Sequence, residues 1–227
     1  MNKRLEAIMA HIPQNGRGVI DVGTDHGYLP AALFQRGYSG RLIAADINAE
    51  PLSKAKRTAE SIGAEDVISL RLCDGLDGCD SSEVDTIVIA GMGGDTICGI
   101  LDRAEWCMAR EYTLILQPMT KCEILRYWLV YNEFEIISEE LVRDDRLYQI
   151  ITACFGGHQR LNDAELFTGG TALIGGDPLF PELRGKLERR FASAVDGMRE
   201  STETEIIDRR RLYEEILNQL RDMEGGR

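Results

Sequence analysis

The stretch Asp21-Val22-Gly23-Thr24-Asp25-His26-Gly27-Tyr28-Leu29-Pro30 holds the densest set of chemically capable residues in this chain. It follows the apolar pair Val19-Ile20 and precedes a helix-like segment, Ala31 to Arg36. A strand, a glycine turn and a helix in that order are how α/β proteins bring backbone close to a nucleotide-like ligand. Gly23 and Gly27 permit the positive φ that such a turn needs. A dinucleotide turn, however, wants glycine where Asp25 stands. Asp21 and Asp25 together repel a diphosphate and suit a cation. S-adenosylmethionine, with a sulfonium and an ammonium group, is such a ligand. His26 can orient a base, accept a proton or serve only as a structural hydrogen-bonding group. Tyr28 can stack on a base or pack under a sheet.

Three further stretches belong with the first. Asp46 and Ile47 end the run Leu42-Ile43-Ala44-Ala45-Asp46-Ile47. An acid there, about 20 residues past the glycine turn, is placed to accept both ribose hydroxyls of a nucleoside. That signal does not separate NAD from S-adenosylmethionine. In Cys73-Asp74-Gly75-Leu76, Asp74 can accept an adenine amino group while Gly75 keeps a side chain out of the ring's path, although Asp-Gly is also a general turn. In Ala90-Gly91-Met92-Gly93-Gly94 the glycines strip side chains from one wall, and Met92 offers a soft apolar contact. Asp21, Gly23, Asp46, Ile47, Asp74, Gly75, Ala90 and Gly91 are therefore the expected cofactor set. Asp25, His26, Tyr28, Met92 and Gly93 are expected on the reacting side, with Asp25 stabilising positive charge. Gln117-Pro118 is expected to line the same cleft.

The elements that must position these residues follow from hydrophobic periodicity. Apolar, β-branched runs at 19–22, 42–47, 67–72, 86–90 and 112–116 alternate with helical spacing at 29–36, 49–62, 94–108 and 121–132. Alternation of this kind gives a parallel, doubly wound sheet. Two further runs, 134–142 and 147–155, are separated only by Arg143-Asp144-Asp145-Arg146, too short for a crossover helix, so they form an antiparallel hairpin. Five parallel strands and a hairpin outline a Rossmann-like methyltransferase sheet. The expected domains are 1–157, a Gly-rich linker at 158–180 with one short helix near Asp163–Phe167, and a helical hairpin or coiled coil at 181–227.

Composition narrows the class. Of 227 residues, 44% are hydrophobic and 28% charged, as in a soluble globular protein. No apolar run approaches the roughly 18 residues that span a bilayer. The first residues read as a packing helix rather than a secretory signal. The six cysteines show no metal-ligand spacing and are expected as reduced thiols in a cytoplasmic protein, with no metal. The net charge of −12 disfavours nucleic acid at first sight, but residues 181–227 are nearly neutral, with 10 Lys+Arg against 11 Asp+Glu. Their positive charge clusters at Arg184, Lys186, Arg189, Arg190 and at Arg209, Arg210, Arg211. A basic face is expected there.

Together with Leu116-Gln-Pro118 and Arg146-Leu-Tyr-Gln-Ile150, these motifs resemble the bacterial tRNA (adenine-22, N1)-methyltransferase family, in order from about residue 3 to 155. The helices after 180 are similar to that family's coiled-coil domain. The resemblance implies S-adenosylmethionine bound through Asp21, Gly23, Asp46, Asp74 and Gly91. It also implies methyl transfer to N1 of an adenine in the D-loop region of tRNA, with the helical hairpin helping to grip the RNA. Separately from the resemblance, a monomer is slightly favoured. A small-molecule methyltransferase on the same fold and a non-catalytic cofactor- and RNA-binding protein are the alternatives. An NAD dehydrogenase ranks last, because of Asp25.

Overall fold

The computed structural model describes residues 3–223. Seven strands form one sheet: β1 (Gly18–Val22), β2 (Arg41–Asp46), β3 (Ile68–Leu72), β4 (Thr86–Gly93), β5 (Thr113–Thr120), β6 (Phe134–Arg143) and β7 (Leu147–Phe155). Their order is β3-β2-β1-β4-β5-β7-β6. The first five are parallel, and β7 is antiparallel to both β5 and β6. The expected sheet and terminal hairpin are present.

Helices α1 (Lys3–Ala10), α2 (Tyr28–Gln35) and α3 (Ala49–Ser61) cover one face of the sheet. Helices α4 (Gly94–Asp102) and α5 (Cys122–Tyr131) cover the other. Strand periodicity decides which side each residue serves. Ile20 and Val22 pack with α4 and α5, whereas Val19 packs with α1 and α2. Asp21 has the parity of Val19, and its register neighbours Val88 and Ile115 also belong to the α1 face. The carboxylate at the end of β1 therefore points under α1.

Two elements differ from the periodicity. The helix expected over 94–108 stops at Asp102, and a 3-10 turn at Glu105–Cys107 follows. That break lets Ala104 and Cys107 both turn into the core, and the Arg103 guanidinium folds back onto the Gly99 carbonyl at 3.0 Å. Strand β4 continues past Ala90 through a bulge at Gly91, whose φ is +83°, and pairs Met92 with Pro118. A proline has no N–H for a ladder, so an irregular pairing suits it.

The stretch expected as a linker is built into the fold. It carries α6 (Asp163–Thr168), opened by a capping box between Asn162 and Glu165, and α7 (Thr171–Ile174). α8 (Phe180–Gly197) and α9 (Thr204–Asp222) form the expected hairpin. Their core of Leu183, Leu187, Phe191, Ile216, Leu217 and Leu220 is shared with Leu141 of β6. The six cysteines are free thiols.

Candidate active site

At the carboxyl ends of β1, β2 and β4, two adjoining chambers share Gly23, Ala90 and Gly91. Ligand crevices in open α/β sheets lie at this edge, where the strand order reverses. The first chamber, about 550 Å³, is lined by Asp46, Ile47, Asp74, Gly75, Met92, Ile100 and Arg103. The second, about 450 Å³, is lined by Arg4, Asp21, Thr24, Asp25, His26, Tyr28 and Met119. A larger cavity of about 1100 Å³, with Arg41 and Glu83 in its wall, lies at the opposite, amino-terminal end of the strands. Glu83 is already taken there by Arg41 and Arg71. The waist between the two chambers consists of residues with no side chain beyond a methyl group. Gly23 has φ of +75°, a conformation that favours glycine, and the terminal methyl of Met92 lies where a Cβ would stand.

The turn after β1 does not offer its first amides to a ligand. The N–H groups of Gly23 and Thr24 both donate to the Ala45 carbonyl, at 2.8 and 3.0 Å. A pyrophosphate cradle needs such amides free. The turn instead presents carboxylates. Burial pushes the Asp21 carboxyl up to about 6, with the Asp46 charge adding to the rise. The Thr24 side chain and the Arg4 charge hold it back in part. The Thr24 hydroxyl is buried and makes no hydrogen bond of standard geometry. A carboxylate so poorly compensated is a ready partner for a ligand cation.

In the first chamber, Asp46 accepts the Asn48 N–H on one oxygen at 2.7 Å, leaving the other for a ligand. Ile47 is 61% exposed, which suits an apolar side chain that packs on a ligand rather than on the core. Asp74 is held by Arg103 at 2.9 Å, a contact that sequence alone did not reveal. The space beside Gly75 is taken by Ile100, 2.8 Å from a Cβ placed there, so this glycine admits helix α4. One end of the chamber is acidic and its walls are apolar. That donor set fits a nucleoside carrying a cationic tail.

In the second chamber Asp25 stands at the rim, its side chain 74% exposed and 3.4 Å from His26 Nε2. The rings of His26 and Tyr28 stack at 5.0 Å with an interplanar angle of 3°. Opposite them, Arg4 reaches in from α1, donating to the Gln117 side-chain oxygen Oε1 at 3.0 Å and lying over the Tyr148 ring. Gln117 is fully buried beneath it. Gly93 lines neither chamber. It precedes α4, and its neighbour Gly94 packs on the Lys121 carbonyl, 2.2 Å from where a Cβ would be.

A doubly wound sheet with an acidic nucleoside chamber opening onto an aromatic second chamber defines a group-transfer enzyme, and a methyltransferase domain model matches residues 1–151. The tRNA (adenine(22)-N(1))-methyltransferase of Bacillus subtilis is 33% identical over 171 residues, covering 75% of this chain and 71% of that protein. The chain belongs to that tRNA methyltransferase family. The crystal structure of the B. subtilis M1A22 tRNA methyltransferase TrmK superposes with a TM-score of 0.83 at 27% identity, covering 96% of this chain and 98% of that one. A Streptococcus pneumoniae protein solved with S-adenosyl-L-methionine gives 0.81 at 28% identity, covering 96% of this chain and 99% of that one.

Proposed function

We propose that this chain transfers a methyl group from S-adenosylmethionine to N1 of an adenine, position 22, in tRNA. The observation that carries the reading is the waist at Gly23, Ala90 and Gly91, residues with no side chain beyond a methyl group, where a chamber fit for a nucleoside adjoins a second chamber large enough for a base. When bound, S-adenosylmethionine supplies an electrophilic methyl group on a sulfonium. Asp46 would accept its ribose hydroxyls, Asp74 would border its base, and Asp21 would take its ammonium end. Tyr28 and His26 provide a flat platform against which a base can be oriented, and orientation is the larger part of what such a transfer needs. Asp25, beside His26 at the rim, stabilises positive charge arriving on the adenine. Adenine N1 carries its own lone pair, so no nucleophilic side chain is required, and burial holds the thiols of Cys98 and Cys107 up at about 12.

The reading is tested by labelled methyl transfer to tRNA lacking the modification, followed by mapping. Label at adenine N1 is expected, with Asp46→Ala weakening cofactor binding about tenfold. Label on metabolites but not on tRNA would favour the small-molecule alternative, and binding without incorporation the non-catalytic one.

The division into a methyltransferase domain (1–157), a connecting segment (158–180) and a helical hairpin (181–227) is part of the same proposal, as is a cytoplasmic monomer. No helix among the described residues is long and apolar enough to cross a membrane. For the hairpin's grip on RNA the arginines are not equivalent. Arg210 donates to the Arg199 carbonyl and pairs with Glu214, and Arg190 lies over Phe167 and Phe191. Arg184 holds the Met223 carbonyl, and Arg211 pairs with Asp208. Lys186, Arg189 and Arg209 make no such contact among the described residues. Arg209→Glu combined with Arg189→Glu is expected to weaken tRNA binding severalfold and flatten its salt dependence, whereas Arg210→Glu should lower the melting temperature instead. Unchanged affinity in the double variant removes the hairpin from RNA recognition.

A further inference from the structure

A groove of about 410 Å³ runs between α1, α2 and α3, lined by Leu5, Tyr28, Ala31, Ala32, Gln35, Thr58 and Ile62. It shares Leu5 and Tyr28 with the second chamber, so the Tyr28 ring is the partition between the two. That ring is 57% exposed, high for an aromatic with one face already covered by His26. The groove has no part in the transfer described above. Resting on the tRNA methyltransferase reading, we propose that it is a second base subsite, which receives the nucleobase adjacent in the chain to the target adenine.

Three observations select a nucleobase. The lining is largely apolar, made by Leu5, Ala31, Ala32 and Ile62 beside the Tyr28 ring. Its edges carry neutral groups able to read a base: the exposed Gln35 amide, and the Thr58 hydroxyl, which donates to the Lys54 carbonyl at 3.2 Å and so keeps lone pairs to accept with. Charge makes the third. Residues 1–62, which contain all three helices, hold 8 Lys+Arg against 6 Asp+Glu, while residues 63–180 hold 8 against 21. On this acidic molecule the groove opens within the part that repels a polyanion least.

The physical logic is that of unstacking. A base entering the second chamber must leave its neighbours, and the stacked pair of His26, on the second chamber, and Tyr28, on the groove, offers one outer face to each unstacked base. Occupying both pockets offsets part of the cost of opening the loop and makes the neighbouring base part of recognition.

The test uses the full chain and unmodified tRNA carrying an abasic site immediately 5′ or 3′ of the target adenine. Binding is read by fluorescence anisotropy for the wild type, Thr58→Trp and Gln35→Ala. One abasic position is expected to weaken wild-type binding about tenfold, the size of one lost base stack. Thr58→Trp, which fills the groove, should weaken intact tRNA similarly, and the two changes together should cost little more than either alone. Gln35→Ala, on an exposed position that cannot disturb the core, should give a smaller loss that vanishes on the same abasic RNA. Retained S-adenosylmethionine affinity shows that the variants fold. Equal wild-type affinity for intact and both abasic RNAs overturns the proposal, as do losses that multiply. Because binding is the readout, failure of methyl transfer would sink the parent reading alone, and normal transfer with a flat abasic response would sink only the groove.

Discussion

Replacing Asp21 with Asn is expected to make the protein more heat-stable at neutral pH while weakening S-adenosylmethionine binding about a hundredfold. The two effects share one cause. In the folded chain, burial raises the Asp21 carboxyl from 3.8 to about 6, so the folded state holds its proton more tightly than the unfolded state. Between those values stability falls as pH rises, and above about 6 the full cost of a poorly compensated carboxylate is present. Each unit corresponds to about 1.4 kcal/mol, and the open cleft reduces the sum to about 1–2 kcal/mol. Asn removes that cost, so the melting temperature should rise by about 3–6 °C at pH 7.5 and not at all near pH 3.5. The lost charge should appear in binding, where an ionised acceptor for an ammonium is worth about 2–3 kcal/mol. Wild-type affinity should fall about tenfold per unit below pH 6, and the variant should lack that slope. Calorimetry from about pH 3.5 to 8 and isothermal titration from about pH 4 to 8 measure both. A variant that melts lower at pH 7.5, or binds the cofactor as well as wild type, would show that Asp21 serves the fold and not the ligand.

Asp21 also marks where the sequence is informative. The run Val19 to Val22, the acid at its end and the glycine after it are local features, and strand, turn and helix follow from them. So does the order of the first five strands with their helices, because continuous apolar runs and helical spacing are written residue by residue. What approaches the site from afar is not local. Arg4 sits in an amphipathic packing helix, and only the tertiary arrangement brings its guanidinium to Gln117, 113 residues away. Arg103 reaches Asp74 because α4 ends one residue earlier, a boundary that periodicity overran. The glycines at 90–94 read as one wall but divide the labour. Gly91 bulges β4 into the waist, and Gly94 lets α4 approach β5. Glycine spacing states that side chains are absent, not which neighbour needs the room. The same limit governs the tail, where Arg209, Arg210 and Arg211 face solvent, a carbonyl and a carboxylate respectively.

The stretch 158–180 poses the sharpest question of this kind, and Arg126→Met is expected to answer it. Glycine content there suggested a linker, yet its backbone is held by a buried ion pair. Arg126 of α5 and Glu139 of β6 meet at 2.7 Å with both side chains almost wholly buried. Arg126 also donates to the carbonyls of Leu166 and Phe167 and to Gln149, while Glu139 accepts the Gly170 N–H at 2.7 Å. Gly169, with φ of +99°, lies so close to this buried carboxylate that a side chain there would collide with it. Removing Arg126 leaves Glu139 buried with one amide for company, and breaking such a pair costs about 3–5 kcal/mol. The double variant Arg126→Met with Glu139→Met removes both charges and should recover much of that loss. Urea denaturation measures the two values, and limited proteolysis locates the damage. Cuts between 158 and 180 should be slow in the wild type and fast in Arg126→Met, with the hairpin released from the sheet. Rapid cutting of the wild-type segment would mean that it is a linker after all. A single variant as stable as wild type would mean that the pair carries no weight in joining the hairpin to β6.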